Sequence, residues 1–276
     1  MPRIRAGLHH SIAVVVTILL LLPLFWALIA SLRAVGAPPP NTIEWWPRDA
    51  NFQNYSQIFE VLPVGRYLIN SLIVVGLAIP ITLVTASLAG FSIAQLPSRT
   101  QRYLLFFSIA VMMIPAASVW LARFQILRWL GLIDSLWALV APAFAASSPL
   151  FVLLFYWTFR RIPAEMFEAA RLDGASALSV WWRLALPVAR PTATGVALLT
   201  FVMYWSDFIS PVLYIFDPKW YTLPVGLQIL KQLDATNWPL LMAGAVLMTI
   251  PVILLFGFLQ RFFFHDLSIA GLFDRN

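Results

Sequence analysis

Few residues in this chain are equipped for chemistry, and the densest group lies between Arg160 and Arg190. The stretch opens R-R-I-P-A-E-M-F-E-A-A-R-L-D-G-A-S. Arg160, Arg161, Arg171, Arg183 and Arg190 are five of the chain's eighteen Lys and Arg residues. Glu165 and Glu168 stand three apart, Ala169 and Ala170 follow, and Asp173–Gly174 closes the run. This set makes no catalytic dyad. It looks built to dock onto something, with two alanines that permit close backbone approach. Pro163 suits the first turn of a helix, where its missing N–H costs nothing. The acids near that helix start are favoured by the macrodipole, and Gly174 can take the positive φ that ends it. A second amphipathic run, Ser176–Leu186, stops at Pro187. A plain helix–turn–helix lying on a membrane surface would share this pattern. It would leave the loop's length unexplained, because the other connections on the same side span only a few residues.

Other chemistry is thinly provided. The chain has no cysteine, so disulfides, thiolate metal sites and redox motifs are excluded. His9, His10 and His265 all fall near chain ends, outside the membrane segments, which themselves lack metal ligands. No catalytic residue and no metal site are expected. A phosphate-binding loop needs G-x-x-x-x-G-K-[ST]. The only lysines are Lys219 and Lys231, preceded by Pro218 and Leu230, so the chain holds no nucleotide by that route.

The rest of the sequence explains this scarcity. Of 276 residues, 61% are hydrophobic and 11% charged, and the mean hydropathy is +0.84. A soluble domain carries about 25% charged residues. Six segments are free, or nearly free, of charge: Ser11–Leu32, Tyr67–Leu96, Tyr103–Ala122, Ser135–Phe159, Pro191–Phe216 and Pro239–Gln260. Each reaches the roughly 20 apolar residues that a membrane helix needs. The fold expected is all-α, a polytopic membrane protein of six transmembrane helices. The first segment runs through Pro23 without a small-residue cleavage site, so it reads as a retained helix. With both termini on one side, that side gathers eleven Lys and Arg residues against seven opposite. The positive-inside rule then places both termini and the 160–190 loop in the cytoplasm. The sequence pI near 10.1 follows from basic helix ends, and no nucleic-acid partner is expected.

Candidates for a solute path are sparse. Asp207 is the one acid inside an otherwise apolar segment, and such acids are functional candidates by default. It is either a cap or loop anchor near a helix end, or a solute contact. Tyr204, Trp205, Tyr214, Trp220 and Tyr221 either form an interfacial belt or stack on sugar rings. Asn70 and Gln95 are amides in or near the second helix, read as interhelical hydrogen-bond partners. Pro23, Pro80, Pro115, Pro142, Pro149 and Pro251 interrupt the spans; they mark either kinked packing or a path lined by broken helices. The proline run of Ala37–Pro47 reads as an extended external connector, with Trp45 and Trp46 at headgroup depth.

The E-A-A-R-L-D-G-A-S of Glu168–Ser176, followed twelve residues after Gly174 by Leu186–Pro187, resembles the EAA loop of bacterial ABC-importer permeases. Three more stretches are similar to the carbohydrate-uptake branch of that family, typified by the maltose permeases. They are G-L-I-D-S-L-W-A-L-V-A-P at Gly131–Pro142, Y-W-S-D-F at Tyr204–Phe208 (Ser206 replacing the usual Asn) and Y-T-L-P-V-G-L at Tyr221–Leu227. The tail from His265 matches the branch's ending only in part.

The resemblance implies the type I importer permease fold over 1–276 as a single transmembrane domain. It implies a cytoplasmic coupling loop at 160–190 and external loops at 33–66 and 217–238. Glu168, Ala169, Ala170, Asp173, Gly174, Leu186 and Pro187 would dock onto two copies of a cytoplasmic ATPase, which alone would use ATP and Mg. A second homologous permease and an extracytoplasmic solute-binding protein would complete the assembly, in contact with membrane lipid. The external loop Trp220–Gln228 would reach toward the binding protein's sugar site. The implied function is uptake of an oligosaccharide, or a related polyol or glycerol-phosphate, across the bacterial cytoplasmic membrane by alternating access. The alternative from another class is a self-contained secondary carrier or channel, which would show several buried charges.

Overall fold

The computed structural model describes residues 2–42, 45–47 and 49–273, with side chains described from His10 to Gly257 within these ranges. The side chains of Arg3, Arg5, His9, Arg261 and His265, together with Arg48 and the residues from Asp274, lie outside the described set, and the expectations placed on them go with it. Every regular element among the described residues is helical.

Among the described residues four helices are long and apolar enough to cross a membrane: His10–Ser31, Val64–Gln95, Leu136–Phe159 and Trp238–Gly257. Two bent pairs raise the number to six if each pair counts as one span. The third expected span, Tyr103–Ala122, is broken. Helix α4 (Ser98–Met112) and α5 (Ala116–Trp129) meet at 98°. Pro115 caps α5 and has no N–H to continue α4, so the chain turns there. The fifth expected span, Pro191–Phe216, is also shorter than its composition implies. Helix α11 (Arg190–Trp205) has 16 residues, about 24 Å at 1.5 Å per residue. The chain then breaks before α12 (Ile209–Tyr214). Pro23, Pro80 and Pro251, in contrast, sit inside continuous helices.

By internal packing the chain divides into two compact units, Met1–Arg66 with Leu223–Ile253, and Tyr67–Thr222 with Leu254–Asn276. In the first, α1 (Pro2–Ser31) ends where Asn54 of α2 (Gln53–Val61) donates to the carbonyls of Ser31 (2.9 Å) and Arg33 (2.8 Å). These are orphan acceptors of a helix end. At the start of α14 (Trp238–Phe273), Trp238 packs against Trp26, ring centroids 6.2 Å apart. Before it, Asp234 accepts from Thr236 and Asn237, and those bonds, the Thr236 hydroxyl foremost, hold its carboxyl below the usual range.

The second unit is built on α3 (Val64–Gln95) and α7 (Pro149–Phe159). Gly90 lets their backbones touch: a Cβ there would lie 2.8 Å from the Tyr156 nitrogen and the Val152 oxygen. Phe91, Phe155, Phe159 and Val196 form a buried core around that crossing. The segment before α7 is not a plain helix. After α6 (Leu136–Val140) it tightens into a 3₁₀ turn over Ala141–Ala145, and Ala146 and Ser147 take positive φ (63° and 57°) before Ser148 caps α7. Carbonyls freed by such a break must find partners in a membrane. Thr85 Oγ1 donates to the Ala143 carbonyl at 2.8 Å, and the Thr82 and Ser147 hydroxyls bond each other.

Candidate docking surface and solute path

The 160–190 loop is seated by its apolar residues. Ile162 and Phe167 are buried, and the Phe167 ring meets Phe91 of α3 at 6.1 Å. Pro163 stands one residue outside α8 (Ala164–Leu172), as its cap, with Glu165 in the first turn. Gly174 has φ 76°, its N–H bonds the Arg171 carbonyl at 3.0 Å, and Ala175 N–H bonds Ala170 at 3.0 Å. Glycine is needed here because the left-handed conformation costs other residues about 1–2 kcal/mol.

With Phe167 turned inward, α8 presents Glu165, Glu168, Ala169 and Leu172 outward. These positions (i, i+3, i+4, i+7) share one face, and all are exposed. Leu172 is 89% exposed, a leucine left in water beside the two acids. Sequence reasoning passed over it, although its position four after Glu168 places it on the same stripe. Ala170 is half-buried, and Asp173 and Gly174 lie exposed at the turn. Arg171 points the other way, donating to Gln95 Oε1 at the end of α3 (2.8 Å). Gln95 thus ties the loop to α3.

Leu186 and Pro187 are not on that stripe. The run after Ser176 passes through α9 (Ala177–Val180), a π-type turn at Trp181–Ala185 and α10 (Leu186–Val188). It does not stop at Pro187, as its composition suggests. The wider turn carries the Leu186 N–H to the Trp181 carbonyl, five residues back. That local widening lets the helix pass a residue with no N–H. The run then bends 83° into α11.

The solute-path candidates separate into four groups. Tyr204 is buried on α11 and its hydroxyl lies 3.1 Å from Ser147 Oγ, at the break preceding α7. Trp205 is 2% exposed and stacked on Phe201, centroids 5.4 Å apart, so the fold covers its ring. Asp207 sits between α11 and α12, half-buried, and accepts from Ser210 N–H at 3.0 Å, an Asx cap on α12. Asn70 is buried and donates to the Lys219 and Tyr221 carbonyls, both at 2.9 Å. Its amide therefore holds the turn carrying Trp220 and Tyr221. Tyr221 packs on Tyr67 (6.1 Å), and Lys219 Nζ lies 5.5 Å from the Trp220 ring centroid.

Asp134, unremarked in the sequence, is the second anchor of that region. At φ 62° its carboxylate accepts from the Phe216 (2.9 Å) and Asp217 (2.8 Å) N–H groups. Its signal was an acid at the junction of two apolar segments. Asp134→Ala should lower stability by about 1–3 kcal/mol, leaving two donors unpaired and adding left-handed strain. Asp134→Asn, which keeps an acceptor and tolerates that conformation, should restore most of it; equal melting temperatures for the two variants would refute the anchor. Among the described residues no cluster of three or more His, Asp and Glu side chains is arranged to hold a metal.

A family model, described as the binding-protein-dependent transport system inner membrane component, matches residues 86–269. The chain belongs to this family. It is an inner-membrane permease component, and its relatives span nearly its full length. It is 29% identical over 252 residues to the sulfoquinovosyl glycerol transport system permease protein SmoH of Agrobacterium fabrum, covering 91% of this chain and 88% of that one. The melibiose/raffinose/stachyose import permease protein MelC of Bacillus subtilis is 27% identical, over 90% of this permease and 89% of its own length. The trehalose/maltose transport system permease protein MalG of Thermococcus litoralis is 26% identical, with 94% of each chain covered. One chain of a solved bacterial ABC transporter that imports the acidic polysaccharide alginate superposes with TM-score 0.77 at 20% identity, over 95% of this permease and 97% of its own length. That likeness establishes the shared fold.

Proposed function

We propose that this permease carries a sugar, or a related glycoside or polyol, across the cytoplasmic membrane, with energy from separate ATPase subunits that dock on α8. The observation that carries the reading is the exposed stripe Glu165–Glu168–Ala169–Leu172, mounted on a rigid aromatic base. Phe167, Phe91 and Phe159 join it to α3 and α7, with Phe91–Phe159 centroids 5.8 Å apart. A push on α8 therefore reaches α3 and α7 through packed rings instead of a slack loop. The sugar assignment draws on the relatives, whose names specify melibiose, trehalose and related substrates. A second permease, two ATPases and an extracytoplasmic binding protein complete the proposed assembly. One solved neighbour, at TM-score 0.66, was crystallised with its periplasmic protein bound to an alginate pentasaccharide. ATP-driven alternating access is the proposed mechanism, with both termini and the 160–190 loop in the cytoplasm.

Among the described residues nothing buried supports an ion-coupled carrier. Among the described residues the buried polar side chains are Ser, Thr, Asn and Gln, none of them ionisable at neutral pH. The test is affinity purification of the chain from its native membrane, with its companions identified by mass spectrometry. An ATPase and a second permease are expected, and the binding protein encoded beside them can then be screened against sugars. A chain that purifies alone would overturn the proposal.

A further inference from the structure

A cavity of about 480 Å³ lies behind the docking loop, bounded by α3, the π-type turn and the start of α11. Leu83, Val84 and Ser87 form one wall, Trp181 and Trp182 another, and Arg190 stands at the edge. The interior offers almost no hydrogen-bonding groups. The Ser87 hydroxyl is engaged by Trp181 Nε1 at 3.3 Å, which leaves the Trp182 indole N–H and the Arg190 guanidinium as the polar side-chain groups. A sugar would be poorly held by such a lining, whereas hydrocarbon suits it. From Pro80 to Ser87 the cavity follows α3 for about 10 Å at the helical rise. Val84 and Trp182 are 44% and 61% exposed, so the cavity opens outward from the unit.

The geometry also sets its depth. The run Ala177–Val188 meets α11 at 83°. With α11 crossing the membrane, that run lies close to the membrane plane, and its exposed Trp182 would fall in the headgroup zone that indoles favour. The cavity extends from there toward the bilayer interior. Arg190 is exposed at its edge, and among the described residues its guanidinium forms no ion pair. Basic pockets between membrane helices on the cytoplasmic side bind anionic headgroups.

We propose that this cavity is a phospholipid site, taking one acyl chain of an anionic lipid with the headgroup phosphate at Arg190. The site depends on the importer reading only for its assignment to the inner leaflet. A lipid seated there would fill the space between α3 and the docking loop, supporting the π-type turn from behind.

The test uses the permease purified with whatever subunits accompany it, equilibrated with vesicles of phosphatidylglycerol and phosphatidylcholine in equal amounts. Native mass spectrometry then counts the retained lipid. Phosphatidylglycerol should be retained about five-fold over phosphatidylcholine, the ratio given by the ~1 kcal/mol that one basic side chain contributes near an anionic surface. Arg190→Gln should erase the preference while lipid is still held, and Leu83→Trp, which fills the cavity, should release both lipids. A photoreactive residue at Val84 keeps the test independent of how the filled variant folds, and it should crosslink to lipid. Crosslinking to a second permease instead, or wild-type retention without headgroup preference, would overturn the site. Neither result bears on whether an ATPase co-purifies, so the two readings fail separately.

Discussion

Ala169→Trp should strip the ATPase from the purified complex, with affinity falling about 100-fold or more, while the amount of chain in the membrane stays unchanged. Ala169 is exposed at the centre of the α8 stripe, between the two acids and Leu172. Its methyl group permits a partner to approach the helix backbone, and an indole would hold that partner away. Centrally placed, well-packed interface positions lose about 2–4 kcal/mol or more on disruption, which sets the magnitude. The fold should tolerate the change because the side chain points away from Phe167 and the aromatic base. Leu172→Ala is the companion experiment. A leucine 89% exposed contributes within about 0.5 kcal/mol to the free chain, yet it should matter once a groove covers it. The readout is the ratio of ATPase to permease after affinity purification. Wild-type ratios in both variants would remove α8 from the interface.

The second large effect falls on assembly of the chain itself. Gly90→Leu should prevent the second unit from packing, at a cost of about 3 kcal/mol or more. The Cβ alone would sit 2.7 Å from Phe155 Cβ and 2.8 Å from two backbone atoms of α7. Backbone atoms cannot swing aside as a side-chain tip can, so the helices must separate and loosen the core that holds Phe91 and Phe159. Gly90→Ala should show a smaller part of the same loss. Gly76→Ala on the same helix meets nothing within 4 Å and should be neutral or slightly stabilising. Fluorescence-detected size exclusion after a temperature series separates the three. A Gly90→Ala variant as heat-resistant as wild type would show that the helices do not meet there as described.

Much of this architecture is local and therefore visible in the residues. Hydropathy marks the spans because lipid excludes charge along any stretch of about 20 residues, whatever that stretch packs against. The docking helix is equally local: its acids lie at the N-terminal end, and Gly174 terminates it with a φ that glycine adopts freely. Those features mark α8 and its turn before any packing is known. Leu172 was also within reach, since helical spacing alone aligns it with Glu168.

Tertiary packing decided the rest. Pro142 and Pro149 marked an interruption in Ser135–Phe159, but only the structure places the break at Ala146–Ser147, and only it ends α11 at Trp205 within Pro191–Phe216. The first break persists because Thr82 and Thr85, distant in the chain, supply the hydrogen bonds that the turn requires. No local pattern records such a partnership. The same holds for Asn70, whose amide is spent on the turn at Lys219 and Tyr221, and for Trp205, whose ring is covered by Phe201. Charge and hydrophobicity determine where a segment lies relative to the membrane, because the bilayer acts on each residue separately. Which polar group meets which carbonyl, and which aromatic ring stays open, depends on residues brought close only by the fold.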